Sequence, residues 1–425
     1  MPQPFEADVT PGIHVSVPVA LYADSEGTLP HAPLPEAPSV AGRSAADRAT
    51  TIADVVIAWN IFQHFYPYFD VVRTDWPNAL KEALMSAATD KDGREFLVTL
   101  RQLVVALRDG HGHVDHPGYT PTTVLPLWWD WIEGRLVVTA VGAGTEGVKP
   151  GDVVITVDGK PTAEAIAANE ALVSGATPQW RRYSAVRNLL AGLNNDPVDL
   201  EVKTGDAPPR KVTLARKQAQ FIQEARPDTI TEIRPGVYYV DLDRATDPGF
   251  NAALPKLAEA KGVVFDLRGY PNQISPVFLQ HLTDKPIQSA HFEVPVITRP
   301  DRGQWSYRES RWNLPPLAPK LKGHIAFLVG GASISYAESV MGIVEYYKLA
   351  DIVGSPTAGT NGNINPITLP GGYRITWTGM RVTRHDGKPH HGHGIEPTAP
   401  AARTIAGVAD GRDEVLEKAI EIVGK

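Results

Sequence analysis

The stretch Ala326–Gly342, AFLVGGASISYAESVMG, decides how this chain folds. It contains most of an apolar run, Ile325–Val329, whose short length and branched side chains predict a buried strand. Two glycines follow, and then the serines Ser333 and Ser335. The pattern then becomes helical, because apolar residues recur three or four positions apart, at Ala337, Val340, Met341 and Val344, whereas Glu338 and Glu345 fall outside this set. We therefore predict a strand, a turn and a helix, with Ser335 at the join.

Ser335 is the first candidate for chemistry. The start of a helix has free N–H groups and the positive end of the helix dipole, which together stabilise a developing oxyanion. Serine is also an ordinary N-cap residue, and a cap is the commoner reason for a serine at this position. The rest of the chain has to distinguish a nucleophile from a cap.

The composition predicts a globular protein with two or three domains. The 425 residues are 43% hydrophobic and 21% charged, and the net charge of -7 gives no reason to expect nucleic acid or an anionic membrane as a partner. No apolar run approaches the roughly eighteen residues of a membrane span, and the first residues, MPQPFEADVTPG, lack the pattern of a signal peptide. We expect a soluble protein of the cytoplasm, or of the periplasm or extracellular space if a leader has been removed. The absence of cysteine excludes thiol catalysis, disulfides and thiolate metal sites.

Changes of pattern divide the chain into four parts. Residues 1–44 are a lead-in, rich in proline and alanine, with one alternating patch at Ile13–Leu21. Residues 45–120 repeat apolar side chains at helical spacing, which predicts a bundle of about three helices. Residues 121–217 alternate as strands around glycine turns, with two helical stretches between them. Residues 218–425 interleave strands and helices, so the predicted fold class is a multidomain α+β protein with an α/β layer at its C-terminal end.

One strand of the last part ends in charged residues. The segment GVVFDLRGYPN, Gly262–Asn272, is apolar up to Phe265 and then carries Asp266, Arg268 and Gly269. The carboxyl ends of strands in α/β sheets open onto functional crevices. We therefore expect this strand end to border the site.

Three histidines follow the predicted helical bundle, in LRDGHGHVDH, Leu107–His116. His111, His113 and His116 are open to three interpretations: a general base, metal ligands or a polar turn. The Asp-Gly pair before His111 predicts a tight turn that would aim its imidazole from a fixed backbone position. We do not predict a metal, because further ligands are not nearby in the sequence.

Four separated pieces of this chain resemble one family of serine peptidases, which includes the C-terminal processing proteases, the tricorn protease core and the retinoid-binding repeat proteins. The pieces occur in one order: LRDGHGHV, the glycine-rich KPGDVVITVDGKP, VVFDLRGYPN, and SISYAESVMGIVEYYKLADIVGSPTAGTNG with its tail DGKPHHGHGIEP. The resemblance implies a helical N-terminal domain in residues 45–120, a PDZ-like domain in residues 121–217 and a crotonase-like α/β catalytic core in residues 218–425. It also implies a peptide or unfolded protein as substrate, and it implies no cofactor.

The resemblance assigns roles at the helix start. Ser335 falls on the family's nucleophile, and the N–H of Tyr336, the next residue, falls in its oxyanion hole. The second oxyanion donor is a glycine after the strand that ends in DLR. Processing proteases carry a glycine pair there, whereas this chain has Asn272 and Gln273. Gly269 is therefore our candidate for this donor.

The resemblance also constrains the base. The lysine that processing proteases use would fall on Thr360, so no Ser-Lys dyad is predicted. Tricorn-like members use a histidine from the N-terminal region, and His111 occupies that motif. His391 stands roughly where those members have the acidic residue that orients the histidine. Glu338 is our substitute for the acid, with Asp109 as a second choice.

These assignments predict a serine peptidase with Ser335 as nucleophile and His111 as base. Two alternatives stay open. An inactive family member that binds peptides or small apolar ligands explains the missing lysine, glycine pair and glutamate, and a zinc hydrolase would use the histidine clusters. For the tail histidines we predict a polar exposed hairpin rather than a site, at His385, His390, His391 and His393. The oligomeric state does not follow from the sequence.

Overall fold

The computed structural model describes residues 3–29, 42–218, 220–300 and 305–425. Within these ranges the chain is a mixed α/β protein of several domains. The lead-in forms two antiparallel hairpins, and the alternating patch that we predicted at Ile13–Leu21 corresponds to a shorter strand, β2. The four strands are β1 (Phe5–Thr10), β2 (Ile13–Val17), β3 (Tyr22–Asp24) and β4 (Gly27–Leu29).

The helical bundle contains four helices, the second of them a single turn. The first helix begins after Asp47, whose carboxylate accepts hydrogen bonds from the N–H groups of Ala49 and Thr50. It ends before Tyr66, because Pro67 disfavours helical backbone at the residue that precedes it. The elements are α1 (Arg48–Phe65), α2 (Phe69–Val72), α3 (Trp76–Ala87) and α4 (Gly93–Val105), followed by the strand β5 (His113–Asp115).

The next part of the chain builds an antiparallel sheet in the order β13-β12-β9-β8-β7, with β10 beside β9. The two predicted helices lie between its strands, and the predicted closing hairpin is the β12–β13 pair. The elements are β6 (Thr123–Val124), β7 (Leu127–Ile132), β8 (Arg135–Val141), β9 (Val153–Val157), β10 (Lys160–Pro161), α5 (Thr162–Glu170), α6 (Pro178–Asn188), β11 (Ala191–Gly192), β12 (Pro197–Lys203), β13 (Arg210–Ala215) and β14 (Lys217–Gln218).

The C-terminal part is organised on a six-stranded sheet in the order β15-β16-β17-β22-β23-β27, parallel except for the β15–β16 pair. Its strands and helices are β15 (Ile230–Arg234), β16 (Val237–Asp241), α7 (Asp247–Ala258), β17 (Gly262–Asp266), a 3-10 helix (Pro276–Leu282), β18 (Ile287–Gln288), β19 (His291–Ile297), β20 (Trp305–Ser310), β21 (Asn313–Leu314), β22 (His324–Val329), α8 (Tyr336–Tyr347), β23 (Asp351–Gly354), β24 (Ile364–Thr368), β25 (Arg374–Thr378), β26 (Arg381–Thr383), β27 (Ala399–Pro400), α9 (Ile405–Ala409) and α10 (Glu414–Val423). None of the helices in the described residues combines the length and the apolar character that a membrane span requires.

The stretch Ala326–Gly342 folds as we predicted, into the central strand β22, a turn and the helix α8. Side chains of β22 alternate between the two faces of the sheet. Ile325 and Phe327 pack in one core with α8, and Ala326 and Leu328 pack in another with α10. The predicted apolar face of α8 is buried throughout, at Ala337, Val340, Met341 and Val344. Helices on both faces leave the start of α8 at the carboxyl edge of the sheet.

The N-terminal bundle is joined to the C-terminal part by backbone pairing. Strand β5, directly after the histidine turn, pairs antiparallel with β25, and His113 lies opposite Thr376. The hydrophobic core of the bundle also includes side chains from the β24–β25 hairpin, namely Leu369, Tyr373, Ile375 and Trp377. These contacts hold the histidine turn against the C-terminal sheet.

The charges at the end of β17 have a structural role that we did not predict. Asp266 is fully buried, and its carboxylate lies 2.6 Å from the Arg268 guanidinium, which also contacts Asp413 at 2.8 Å. Burial is the largest influence and raises the pKa of Asp266, but the charge and hydrogen bonds of Arg268, together with the charge of Arg226, outweigh it and lower the pKa to about 2. Asp413 is the N-cap residue of α10, so this ion-pair network fastens α10 to the sheet.

Replacing Arg268 with alanine should destabilise the C-terminal part by about 3–5 kcal/mol, because Asp266 would remain buried without its direct ion-pair partner and with only the Tyr239 hydroxyl as a side-chain donor. Arg412 offers a matched control, since it pairs with Glu417 at the surface and its loss should cost less than about 1 kcal/mol. Urea unfolding followed by circular dichroism compares Arg268→Ala, Arg412→Ala and the parent chain. Equal unfolding midpoints for the two variants would contradict the structural role of this network.

Candidate active site

Ser335 has a backbone conformation that few residues other than glycine adopt, with φ 60° and ψ -116°. Strain of this kind costs on the order of 1–3 kcal/mol and is concentrated at functional positions. Ser335 occupies the N-cap position of α8, yet its side chain makes no capping hydrogen bond. The ordinary explanation of a serine at a helix start therefore does not apply here, and the hydroxyl is free for another role.

The neighbouring serine, Ser333, has the structural role instead. It is fully buried, and its hydroxyl donates to the Leu267 carbonyl at 2.8 Å and accepts from the Gly330 N–H at 3.1 Å. Its backbone carbonyl accepts from the Ala358 N–H. Ser333 thus joins the turn before α8 to the end of β17 and to the loop after β23.

The two predicted oxyanion donors lie on adjacent segments. The Tyr336 hydroxyl donates to the Ile274 carbonyl at 2.9 Å, which holds the loop after β17 against the start of α8. Within the described residues neither the Tyr336 N–H nor the Gly269 N–H has a hydrogen-bond partner. A Cβ on Gly269 would lie 2.6 Å from Asp243 Oδ2 and 2.9 Å from Asp243 Cβ, so a larger residue would displace the Asp243 side chain. The same loop and Tyr336 border a cavity of about 510 Å³, lined by Asp247, Tyr270, Pro271, Asn272, Gln273, Ile274, Ser275, Pro276 and Tyr336.

Thr360, at the position where a lysine would be required for a dyad, connects the serine and histidine segments. Its carbonyl accepts from the Ser335 N–H at 2.8 Å, and its hydroxyl accepts from the Gly110 N–H at 3.0 Å. A Cβ on Gly110 would lie 2.6 Å from the Thr360 hydroxyl and 3.1 Å from Ile334 Cδ1. The residues that precede His111 and Ser335 are therefore packed against each other.

The imidazole of His111 is buried and has one free ring nitrogen. Nδ1 lies 2.8 Å from the Thr378 hydroxyl, whereas Nε2 has no hydrogen-bond partner within the described residues. Burial lowers the pKa of His111, and the negative charges of Asp109 and Glu338 oppose this only in part. A neutral imidazole with an unoccupied Nε2 has the properties of a general base.

Glu338 lies inside the protein, although its spacing put it off the apolar face of α8. Its carboxylate accepts hydrogen bonds from the N–H groups of Gly359 and Thr360, at 2.7 and 2.8 Å, and from the Thr357 hydroxyl. The structure does not place it in hydrogen-bond contact with the His111 ring, whose Nδ1 faces Thr378. Glu338 instead holds the loop that carries Thr360.

Our prediction of an exposed tail hairpin is wrong for two of the four histidines. His390 and His391 are buried, and the His391 ring stacks on Tyr68 with ring centroids 4.2 Å apart. Burial lowers the pKa of His391 to about 4, and its Nε2 lies 2.9 Å from the Arg108 carbonyl oxygen. Tyrosines from the end of α1 cover this segment, which its polar, glycine-rich sequence did not indicate. His391 therefore holds the chain just before Asp109, and His390 Nε2 lies 3.3 Å from Glu338 Oε2.

The histidines that follow α4 do not converge on a common point. His111 faces Thr378, His113 lies 4.0 Å from Asp115, and the His116 ring lies beside Tyr373. No group of three or more His, Asp or Glu side chains in the described parts of the chain is arranged to hold a metal ion.

Comparison with known proteins is consistent with this arrangement. Residues 236–401 match the sequence profile of Peptidase family S41. None of the curated proteins is a significant sequence match. Among solved structures, mature CPAF is 13% identical with a TM-score of 0.72, over 88% of this chain and 96% of that chain, and a CPAF mutant gives a TM-score of 0.74 at 13% identity, over 89% and 97%. A putative peptidase from Parabacteroides merdae is 14% identical with a TM-score of 0.52, over 88% and 96%. At these identities the solved structures show a shared fold.

The matched segment includes Ser335, Tyr336 and Gly269, whereas His111 lies outside it. The family resemblance that the sequence motifs predicted is confirmed by the profile match. Residues 236–401 therefore match peptidase family S41, and this match supports a serine-type peptidase.

Proposed function

We propose that this chain hydrolyses peptide bonds with Ser335 as nucleophile and His111 as general base. The observation that carries the proposal is the pairing of an uncapped serine in a strained conformation with a buried histidine whose Nε2 is unoccupied. Thr360 is hydrogen-bonded both to Ser335 and to the residue before His111. A pure binding protein has no requirement for this combination.

In the proposed reaction the Ser335 Oγ attacks the carbonyl carbon of the substrate while His111 Nε2 takes the hydroxyl proton. The N–H groups of Tyr336 and Gly269 stabilise the negative charge on the carbonyl oxygen. The imidazolium then gives its proton to the departing amine, and the C–N bond breaks to leave an acyl ester on Ser335. Water attacks this ester, again with His111 as base, which releases the carboxylic acid and restores the hydroxyl. No cofactor takes part in this sequence.

The substrate that we propose is an extended peptide or an unfolded protein chain. We assign residues 121–217, which build an antiparallel sheet, to a PDZ-like domain on the strength of their glycine-turn sequence motif, and such domains bind extended peptides at a sheet edge. This domain reaches the proposed site directly, because Thr177 Oγ1 and Gln179 Nε2 each donate at 2.7 Å to carbonyls of the loop before Thr360. The sheet and helices of residues 218–425 would be a crotonase-like core in this assignment.

The alternative is an inactive family member that binds peptides or small apolar ligands. The threonine at the lysine position and the missing glycine pair favour it. Thr360 nevertheless has a defined place between the serine and histidine segments, and the Tyr336 N–H in the first turn of α8 has no partner among the residues that the structure describes. These features favour hydrolysis over simple binding.

Replacing Ser335 with alanine should abolish both covalent labelling by a fluorophosphonate probe and hydrolysis of a denatured protein such as casein. This probe phosphorylates an activated serine hydroxyl far faster than an ordinary one, because activation raises the nucleophilicity of the oxygen. Ser339→Ala is the matched control, because Ser339 lies one turn further along α8 and bonds to Asn361. The control should stay labelled, and a labelled Ser335→Ala variant would refute the assignment of the nucleophile.

The rate of fluorophosphonate labelling should rise with pH, with a midpoint below 6.5, the ordinary pKa of histidine. Burial lowers the pKa of His111, so the neutral imidazole that accepts a proton persists to lower pH and is lost only as the pH falls through the lowered pKa. The measurement is the labelling rate at a series of pH values. If the labelling rate of His111→Ala falls at low pH with the same midpoint as that of the parent chain, a group other than His111 titrates.

A further inference from the structure

We propose that Thr378 and Asp109 form the positioning pair that orients the His111 imidazole, with the threonine hydroxyl as a relay between the carboxylate and the ring. This inference rests on the proposed function and identifies the acidic member that the sequence left open between Glu338 and Asp109. Both residues of the pair are fully buried.

Hydrogen counting fixes the direction of each bond. The Thr378 hydroxyl lies 2.6 Å from Asp109 Oδ1 and 2.8 Å from His111 Nδ1. An ionised carboxylate can only accept, so the single hydroxyl hydrogen is donated to Asp109. The hydroxyl oxygen must then accept from His111, which places the ring proton on Nδ1. Nε2 is left with its lone pair, as a base facing Ser335 requires.

The backbone holds both members of the pair. Asp109 Oδ2 accepts from the Thr378 N–H at 2.6 Å, and Asp109 Oδ1 accepts from the His111 N–H at 3.0 Å. The Asp109 N–H donates to Ser174 Oγ at 2.9 Å, so the second domain also fixes this turn. The carboxylate is therefore surrounded by donors and has little freedom to rotate.

The pairing of β5 with β25 brings these residues together. Thr376 lies opposite His113 in the ladder, and its hydroxyl donates to the His111 carbonyl at 2.8 Å. Thr378, two residues further along β25, points to the same face and meets the ring instead of the backbone. Two threonines on one strand thus hold the same histidine at different atoms, which provides a matched pair of variants.

Other titratable groups nearby make contacts that do not involve the His111 ring. Glu338 is bonded to the loop that carries Thr360, and His390 lies beside it. His391 Nε2 bonds to the Arg108 carbonyl, and the Tyr66 hydroxyl donates to the Leu107 carbonyl. The Tyr68 hydroxyl accepts from the Val382 N–H. Only Thr378 lies within hydrogen-bond distance of the His111 ring among the described residues.

The first experiment measures the rate of fluorophosphonate labelling of the full chain across pH. Thr378→Val removes the acceptor for Nδ1–H and should slow labelling by at least about 100-fold, whereas Thr378→Ser keeps a hydroxyl and should restore most of the rate. Thr376→Val removes only the bond to the His111 carbonyl, so the pH midpoint of labelling should not move. Labelling of Thr378→Val at the parent rate would overturn the proposal.

Asp109→Asn tests the direction of the relay. If the carboxamide oxygen stays on the Thr378 N–H, the closer of the two backbone donors, its NH₂ replaces Oδ1 and faces the Thr378 hydroxyl. The hydroxyl would then accept from the carboxamide and donate to Nδ1, which forces the ring proton onto Nε2. The equivalent change in a Ser-His-Asp triad lowers kcat about 10⁴-fold through the wrong tautomer. The negative charge of Asp109 raises the pKa of His111. Its loss should therefore also move the pH midpoint of the remaining labelling to a lower value. If Asp109→Asn is labelled at the rate of the parent chain and with the same pH midpoint, the relay is excluded.

Nitrogen-15 spectra of histidine-labelled protein give a readout that does not require activity. The His111 signal, identified by its loss in His111→Gln, should show protonated Nδ1 in the parent chain and in Ser335→Ala, and protonated Nε2 in Asp109→Asn. Protonated Nε2 in the parent chain would overturn the proposal even if the peptidase assignment holds. Labelling that persists in Ser335→Ala would instead overturn the proposed function. The position of the His111 ring proton in the spectra would then still test the relay.

Discussion

The proposed site depends on one residue that does no chemistry, Thr360. Its carbonyl and hydroxyl hold the Ser335 and Gly110 N–H groups, which belong to segments more than two hundred residues apart in the chain. Two further sets of contacts support this bridge. The Glu338 carboxylate accepts a hydrogen bond from the Thr360 N–H, and the pairing of β5 with β25 fixes the histidine turn. Loosening any of these contacts would separate serine from histidine without touching either side chain.

Burial sets the electrostatics of this region. It favours the neutral form of His111, and the carboxylate of Asp109 opposes this effect without forming a direct ion pair with the ring. A threonine between the acid and the imidazole keeps the negative charge one hydrogen bond further away than in a direct triad. Such an arrangement would orient the ring while limiting the increase in the pKa of His111, which stays below its ordinary value.

Several polar residues that we expected to border the site or to lie on an exposed hairpin build the scaffold instead. Asp266 and Arg268 fasten α10 to the sheet, and His391 holds the chain before Asp109 through Arg108 and the Tyr68 ring. A polar side chain that is buried must find partners, and here those partners come from distant parts of the chain. The local sequence pattern of such residues is the same whether they support the fold or take part in a reaction.

The sequence alone determined the elements and the candidate for the nucleophile. Apolar runs and helical spacing are local properties, so β22, α8 and the position of Ser335 between them followed from the residues themselves. The motif around His111 likewise indicated a base. Only the tertiary structure decided what surrounds that base, because Thr378 meets Asp109 and His111 through a pairing of strands far apart in the chain. No local pattern distinguishes Thr378 from Thr376, and that choice depends on which atom each side chain reaches after folding.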